Sequence, residues 1–186
     1  MKKQVIVLGL SLFCFSIAFS QSGSKSQSSY NSAIGGRFGT GYDDLFSASY
    51  KRFLSGGPGA IELNLGLKPS YTYNYYYNGG NVSDGITMMN LSAAYEYHVP
   101  ISAVPGLAWF VGGGLGFNWA FTTNDNYRGF GLNIFPTGGA DYKFGNIPLD
   151  VSVDIRPRIR LASPSSYDYE SFYFPDFGFS ARFTID

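Results

Sequence analysis

The chain lacks most of the residues that build cofactor sites, and it lacks the long apolar runs that form membrane helices. Its 186 residues include one cysteine and one histidine. Cys14 lies in the apolar segment 5–18, and once that segment is removed the chain has no thiol for disulfide or metal chemistry. After residue 18 no apolar run approaches the length of a transmembrane helix. Any membrane span must therefore be made of strands.

An excess of charge of one sign is also missing. The chain has 13 Lys and Arg against 13 Asp and Glu. Without Lys2 and Lys3, which precede the apolar segment, 11 basic residues face the 13 acidic ones. This balance argues against a nucleic-acid-binding surface, and we expect no nucleic-acid partner.

The first residues have the pattern of an export signal. Lys2 and Lys3 supply the positive start, segment 5–18 supplies a short apolar core, and Ala18 and Ser20 are small residues at the cleavage positions. The predicted organisation is a signal peptide at 1–20, a polar flexible segment at 21–31 and one domain at 32–186.

The most informative pattern that is present is strict alternation in the run 61–72. One face carries apolar and aromatic side chains and the other carries polar, charged or glycine residues. The first face consists of Ile61, Leu63, Leu65, Leu67, Pro69 and Tyr71, and the second of Glu62, Asn64, Gly66, Lys68, Ser70 and Thr72. The run is about twice the usual strand length and matches what a tilted strand needs to cross a bilayer.

Similar alternation recurs through the rest of the chain and predicts eight strands. They cover residues 32–40, 46–54, 60–73, 87–99, 107–121, 132–144, 149–161 and 174–185. Short turns at 55–59, 100–106 and 145–148 alternate with longer polar loops at 74–85, 122–131 and 162–173. Pro136 and Pro157 fall inside strands and predict bulges. An even strand number with alternating connections predicts an all-β, eight-stranded, antiparallel, up-and-down transmembrane β-barrel.

Alternation alone leaves open which face points inward. The polar face carries charges of both signs, which are Arg37, Lys51, Lys68, Lys143, Arg156, Arg158, Arg160, Arg182, Glu62, Glu96, Asp141, Asp150, Asp154 and Asp176. An eight-stranded barrel is only wide enough inside for side chains, so aromatic residues from every strand do not fit there. We therefore predict that the apolar face contacts lipid. The alternative is a soluble, lipocalin-like periplasmic carrier with an apolar interior and a hydrophobic ligand.

At this point the region 32–186 resembles the small outer-membrane β-barrel family of OmpA/OmpX type. The last strand resembles the C-terminal signal that the outer-membrane assembly machinery reads, through Asp176, Gly178, Ala181 and Phe183. The resemblance implies a monomeric protein of the bacterial outer membrane with a plugged interior. Its partners would be outer-membrane lipid, the assembly machinery during biogenesis, and an unidentified extracellular ligand.

Arg156, Arg158 and Arg160 form a column on the predicted inward face, and this column has two possible interpretations. Rings of basic side chains select anions in pores, whereas a narrow interior favours a ladder of salt bridges. Eight strands favour the ladder. The predicted interior network consists of Arg37, Glu62, Lys68, Glu96, Asp141, Asp154, Arg156, Arg158, Arg160 and Arg182.

No catalytic, cofactor-binding or metal-binding residue is predicted, and the expected role is structural or a surface interaction through the loops. The enzyme alternative is a lipid-modifying barrel in which a serine and a carboxylate converge on His98. The tyrosine-rich segment 71–77 is either a recognition surface or part of an aromatic belt at the membrane interface.

Overall fold

The computed structural model describes residues 30–41, 45–54, 57–77, 80–121, 129–162, 172–173 and 176–185, while the side chains of 69–86 and 172–173 lie outside this description. The described residues form β1 (Ser32–Gly39), β2 (Phe46–Phe53), β3 (Gly59–Tyr77), β4 (Gly80–Pro100), β5 (Leu107–Phe121), β6 (Gly129–Lys143), β7 (Leu149–Ile155), β8 (Arg158–Ala162), β9 (Phe172–Tyr173) and β10 (Phe177–Ile185). Within these ranges no helix has the length and apolar character to cross a membrane.

The strands close on themselves. Each strand from β1 to β6 pairs antiparallel with the next, β6 pairs with β7 and β8, and β10 pairs with both β7 and β1. β7 and β8 follow each other along one wall strand, and β9 and β10 follow each other along the next, because β9 pairs with β8 and β10 pairs with β7. The ten segments therefore form eight wall strands. The predicted closed, eight-stranded, antiparallel barrel is confirmed.

The apolar face of the strands points outward and the polar face points inward, as predicted. The outer surface exposes large apolar side chains, including Ile34 and Phe38 at 54% and Phe183 at 57%. On the inner side Arg37 and Lys51 are almost completely buried, at 1% and 0% exposure. The apolar interior that a lipocalin-like carrier requires is not found in the described part of the barrel.

The predicted loop 74–85 is wrong, because most of it is strand. β3 continues to Tyr77 and β4 begins at Gly80, with pairing from Tyr71–Ile86 up to Tyr77–Gly80. Tyrosine and threonine favour extended backbone, and a paired partner outweighs the polar, loop-like composition. A register shift between Lys68 and Tyr71 gives β3 one extra residue, so the alternation over 61–72 is interrupted.

The other predicted loops lie mainly at positions that the structure leaves undescribed. β6 begins at Gly129, inside the predicted loop 122–131, while residues 122–128 are outside the described ranges. The predicted loop 162–173 likewise falls on undescribed residues except at its two ends. We call the end of the barrel with the turns after Phe53, Pro100 and Lys143 the turn end, and the opposite end the loop end.

The bulges predicted at Pro136 and Pro157 are also wrong. Gly138 pairs with Ile155 and Ile134 pairs with Ile159, so the register is unchanged across the gap and Pro136 faces Pro157. The Arg156 N–H donates to the Asp176 carbonyl on the β10 side, so Pro157 directs its backbone toward β6. Neither proline has an N–H, and this rung therefore lacks both hydrogen bonds. The register shift falls instead at Leu132 and Asn133.

Candidate functional site

The interior of the barrel is built around the Glu62 carboxylate. Oε1 accepts a hydrogen bond from Arg156 Nη2 at 2.6 Å and one from Asn64 Nδ2 at 2.7 Å. Oε2 accepts from Arg182 Nη2 at 2.6 Å and lies 3.8 Å from Lys51 Nζ. Three cations, from β2, from β10 and from the junction between β7 and β8, thus converge on one buried carboxylate.

Lys51 links this centre to the turn end. Its Nζ lies 2.7 Å from Asp141 Oδ2 and 3.1 Å from Glu96 Oε2. The His98 ring lies beside the same two carboxylates, with Nε2 3.1 Å from Glu96 Oε2 and Nδ1 3.7 Å from Asp141 Oδ2. Two carboxylates therefore share one ammonium and one imidazole.

A second branch runs from the centre toward the loop end. Arg37 donates from Nε and Nη2 to Asp154, at 3.1 and 2.7 Å, and lies 3.8 Å from Asp176. Arg156 Nε lies 2.9 Å from Asp154, and Arg158 Nε lies 3.0 Å from Asp176. Bidentate arginine–carboxylate geometry fixes the orientation of both partners.

A third branch is centred on Arg182. Its Nη1 donates to Ser152 at 2.9 Å and lies 3.3 Å from Asp150, while Nε donates to Ser49 at 2.9 Å. Buried charges require such partners, because an unpaired ion inside a protein is strongly destabilising.

The structure brings most of the predicted network together. Eight of its ten residues are buried, namely Arg37, Glu62, Glu96, Asp141, Asp154, Arg156, Arg158 and Arg182. Lys68 and Arg160 are half-buried. Lys51, Asp150 and Asp176, which the alternation places on the same face, also belong to the network. Within the arginine column, Arg156 and Arg158 form ion pairs, the arrangement expected of a salt-bridge ladder.

The interior also contains aromatic residues that were not predicted there, among them Phe110 and Phe135. Phe110 and Phe135 are both 2% exposed, and the Phe135 ring lies 5.6 Å from the Arg156 guanidinium and 5.5 Å from that of Arg158. β5 accommodates Phe135 through Gly114, where a Cβ atom would lie 2.6 Å from the ring. The signal was available in the parity of the sequence, because Phe135 shares its face with Asn133 and Asp141.

An aromatic plug closes the interior at the turn end. The ring of Tyr30 meets that of Phe53 edge-on at 5.1 Å, Phe53 meets His98 at 4.9 Å, and His98 stacks on Phe110 at 5.1 Å. The Asn31 carbonyl accepts a hydrogen bond from the Phe53 N–H. Tyr30 and Asn31, which the predicted boundary places in the flexible segment, are therefore part of the barrel.

Removal of the Tyr30 ring tests the plug. Burial, with the Asp141 carboxylate nearby, raises the pKa of the Tyr30 phenol, so the side chain is neutral and packs as an aromatic. Tyr30→Ala is expected to lower the free energy of unfolding by about 3 kcal/mol, as for other large-to-small core changes. Tyr30→Phe keeps the ring and nearly the same volume, and is expected to change the free energy of unfolding by less than about 1 kcal/mol. Urea unfolding of the refolded protein measures both, and equal losses for the two variants would contradict a packing role.

His98 does not gain the partners that the enzyme alternative needs. In the described structure its neighbours are two carboxylates and two aromatic rings, and no serine hydroxyl is among them. The ring is 5% exposed and lies inside the barrel rather than on the outer face. Among the described residues, no group of three or more histidine, cysteine and acidic side chains is arranged to hold a metal ion.

Three residues of the predicted assembly signal lie in β10, and Asp176 directly precedes that strand. The four side chains do not share one face of the barrel wall. Asp176 and Gly178 are buried in the interior, whereas Ala181 and Phe183 are exposed on the outer surface. A Cβ atom on Gly178 would lie 2.5 Å from Cζ of Arg37, so this glycine makes room for an interior arginine. Reading by the assembly machinery stays a prediction.

Fold and interior together define a closed, eight-stranded antiparallel β-barrel with an ion-paired interior and an apolar outer surface. The chain matches no protein-family model, no curated protein and no solved structure.

Proposed function

We propose that this protein is a bacterial outer-membrane β-barrel of OmpA/OmpX type, with a structural or surface-interaction role rather than a catalytic one. It is exported by its signal peptide, inserted by the outer-membrane assembly machinery and surrounded by lipid as a monomer. The turn end faces the periplasm, and the loop end carries the interaction surface toward an unidentified extracellular ligand.

The observation that carries this proposal is the inverted distribution of side chains. Outward residues of β3 and β10 such as Leu67, Phe179 and Phe183 are about half exposed, at 53%, 48% and 57%. Exposed apolar area costs about 25 cal/mol per Å² in water, and soluble monomers rarely carry large contiguous apolar patches. Lipid removes this cost and leaves the polar side chains to fill the interior.

The interior supports a plugged barrel rather than a pore. Glu62, Lys51 and Arg37 are almost fully buried, and each forms an ion pair with side chains from other strands. An eight-stranded barrel has room for these side chains and little else. The role of such a protein then lies in its wall and in the surface at the loop end.

The test is the gel mobility of the mature protein in detergent, with and without boiling. A closed barrel resists unfolding until it is heated, so we expect the unboiled protein to run as a compact band and to come from the outer-membrane fraction. In planar bilayers the purified barrel is expected to give no conductance steps. Soluble periplasmic protein without a band shift would contradict a membrane barrel, and anion-selective steps would contradict a plugged interior.

A further inference from the structure

The buried charges of the described interior do not balance. Six buried carboxyl groups face five buried lysine and arginine side chains. The carboxyl groups are those of Glu62, Glu96, Asp141, Asp150, Asp154 and Asp176, and the cations are those of Arg37, Lys51, Arg156, Arg158 and Arg182. A buried charge without compensation is strongly destabilising, and such a group becomes neutral instead. The described interior is therefore expected to hold one proton in addition to these charges.

The unmatched carboxyl group lies at the turn end. Toward the loop end, Arg37 lies 2.7 Å from Asp154 and Arg158 lies 3.0 Å from Asp176, so these charges match. Toward the turn end, four carboxyl groups share three cations, which are Glu62, Glu96, Asp141 and Asp150 with Lys51, Arg156 and Arg182. Lys143 does not supply the missing charge, because its Nζ donates to two backbone carbonyls of the adjacent turn.

Two of these carboxyl groups are in direct contact between β6 and β7. The side chains of Asp141 and Asp150 are hydrogen-bonded to each other. An ionised carboxylate only accepts hydrogen bonds, so this bond forms only when one of the two groups carries a proton. Lys51 Nζ lies 2.7 Å from Asp141 Oδ2, whereas Arg182 Nη1 lies 3.3 Å from Asp150 Oδ2. The closer cation keeps Asp141 ionised, which leaves the proton on Asp150.

The His98 ring is a poorer holder of this proton. Its Nε2 lies 3.1 Å from Glu96 Oε2, and a neutral imidazole with its hydrogen on Nε2 makes this hydrogen bond. The Nδ1 atom lies 3.7 Å from Asp141 Oδ2, which is beyond hydrogen-bond range. Phe53 and Phe110 pack against the ring. A neutral His98 therefore satisfies its surroundings, whereas the aspartate pair requires a proton.

We propose that Asp141 and Asp150 share one proton in the folded barrel, and that this proton keeps the aromatic plug closed. This role goes beyond the proposed function and requires only the closed barrel. The buried phenol of Tyr30 lies in the field of both carboxyl groups. When the proton leaves, two adjacent carboxylates repel each other and the second charge requires water. The plug separates this pair from the outside, so hydration requires the Tyr30 ring to move.

The strands around the pair contribute one further group that titrates near neutral pH. The charged and titratable neighbours are Lys51 on β2, Glu62 on β3, Glu96 and His98 on β4, Arg182 on β10, Lys143 at the end of β6 and Tyr30 ahead of β1. The buried side chains of β1 and β5 at this level are Ala33 and Phe110, which do not titrate. Histidine is the one neighbour that ordinarily changes charge between about pH 5 and 8. The test must therefore separate His98 from the aspartate pair.

Urea unfolding in detergent, measured as a function of pH, detects the proton. The pKa of an aspartate in an unfolded chain is about 4, so unfolding above this pH releases the shared proton and the folded state loses stability as the pH rises. Asp150→Asn is the reference variant, because its amide donates to Asp141 and does not titrate. Relative to this variant, we expect the wild-type unfolding equilibrium constant to rise about tenfold per pH unit above about pH 5, until the pair loses its proton. A constant ratio between the two proteins would overturn the shared proton.

Two further variants locate the proton. Asp141→Asn removes the carboxylate closest to Lys51, so we expect its unfolding equilibrium constant near neutral pH to exceed that of Asp150→Asn by at least about tenfold. In a His98→Gln background, Asp150→Asn is expected to remove the same pH dependence. Equal stability of Asp141→Asn and Asp150→Asn would overturn the assignment of the proton to Asp150. Loss of the pH dependence in His98→Gln alone would place the proton on His98 and overturn the aspartate pair.

A spin label beside the plug tests whether the proton keeps it closed. Asn31 is exposed, and its carbonyl accepts the Phe53 N–H, so Asn31→Cys retains this backbone contact. The sequence has no cysteine after Cys14, so the nitroxide attaches at one position of the mature chain. We expect the label to become more mobile as the pH rises, and to keep its low mobility when Asp150→Asn is added. The same behaviour with and without Asp150→Asn would overturn the link between the proton and the plug.

The heat shift on gels is recorded for every variant, so that a folding defect is not mistaken for a change in proton binding. A wild-type barrel that shows the heat shift without the pH dependence overturns the shared proton alone. Absence of the heat shift and of membrane association in the wild type overturns the proposed function.

Discussion

Glu62→Gln is expected to lower the free energy of unfolding by about 3–5 kcal/mol, the range for removing one partner of a buried ion pair. Arg156 and Arg182 both lie 2.6 Å from the Glu62 carboxylate, and both are fully buried. Glutamine has nearly the same volume, so the loss comes from charge rather than from a cavity. The two guanidinium groups would keep their positive charge without their closest compensation.

The measurement is urea unfolding in detergent, followed by tryptophan fluorescence and by the band shift. Arg52→Gln is the matched control, since Arg52 is exposed on the outer side of β2 and its replacement is expected to change stability by less than about 1 kcal/mol. A Glu62→Gln variant as stable as Arg52→Gln would mean that the network reorganises around the loss, and the central role of Glu62 would be wrong.

Gly178→Ala is expected to destabilise the barrel by about 1–3 kcal/mol, as overpacking of a filled interior does. The added Cβ would lie 2.5 Å from Cζ and Nε of Arg37, and Arg37 is held by two hydrogen bonds to Asp154. The methyl group therefore has to displace a buried guanidinium and disturb its two hydrogen bonds to Asp154. Gly145→Ala is the control, because a Cβ there meets no atom within 4 Å.

Refolding of purified protein from urea into detergent separates this packing effect from the predicted assembly signal. A loss of stability after unassisted refolding reports on the Arg37 contact, because no assembly machinery is present. If Gly178→Ala refolds with wild-type stability but accumulates less in the outer membrane of cells, the glycine serves recognition and the packing argument fails.

The sequence predicted the parts of this fold that depend on local alternation. A period of two assigns the side chains of β1, of β10 and of β3 below its register shift to one face each, without knowledge of their partners. It therefore placed Arg37, Glu62 and Arg182 inside before any pairing was known. Their partners were less accessible, since the contact between Glu62 and Arg182 depends on register around the whole barrel and joins residues 120 positions apart.

The features that sequence reasoning missed depend on non-local pairing. The segment 74–85 has the polar and glycine-rich composition of a loop, but its two halves pair with each other as strand. Tyr30 is a single aromatic residue after a polar stretch, so it shows no alternation of apolar and polar side chains. For this reason it was assigned to the flexible segment. The facing prolines, Pro136 and Pro157, read as separate bulges until the β6–β8 register brings them to the same rung.

A closed barrel has no edge strand that can separate first, so local opening of the wall must begin between two paired strands. The position where Pro136 faces Pro157 is such a place. The two neighbouring strands pair at Ile134–Ile159 on one side of it and at Gly138–Ile155 on the other, but the two prolines form no backbone hydrogen bond with each other. Opening there costs fewer hydrogen bonds than separating β1 from β10, whose contact is continuous from Ser32–Ile185 to Gly39–Gly178. The barrel would then loosen sideways, between two strands in the second half of the chain, while the seam that joins its first and last strands stays shut.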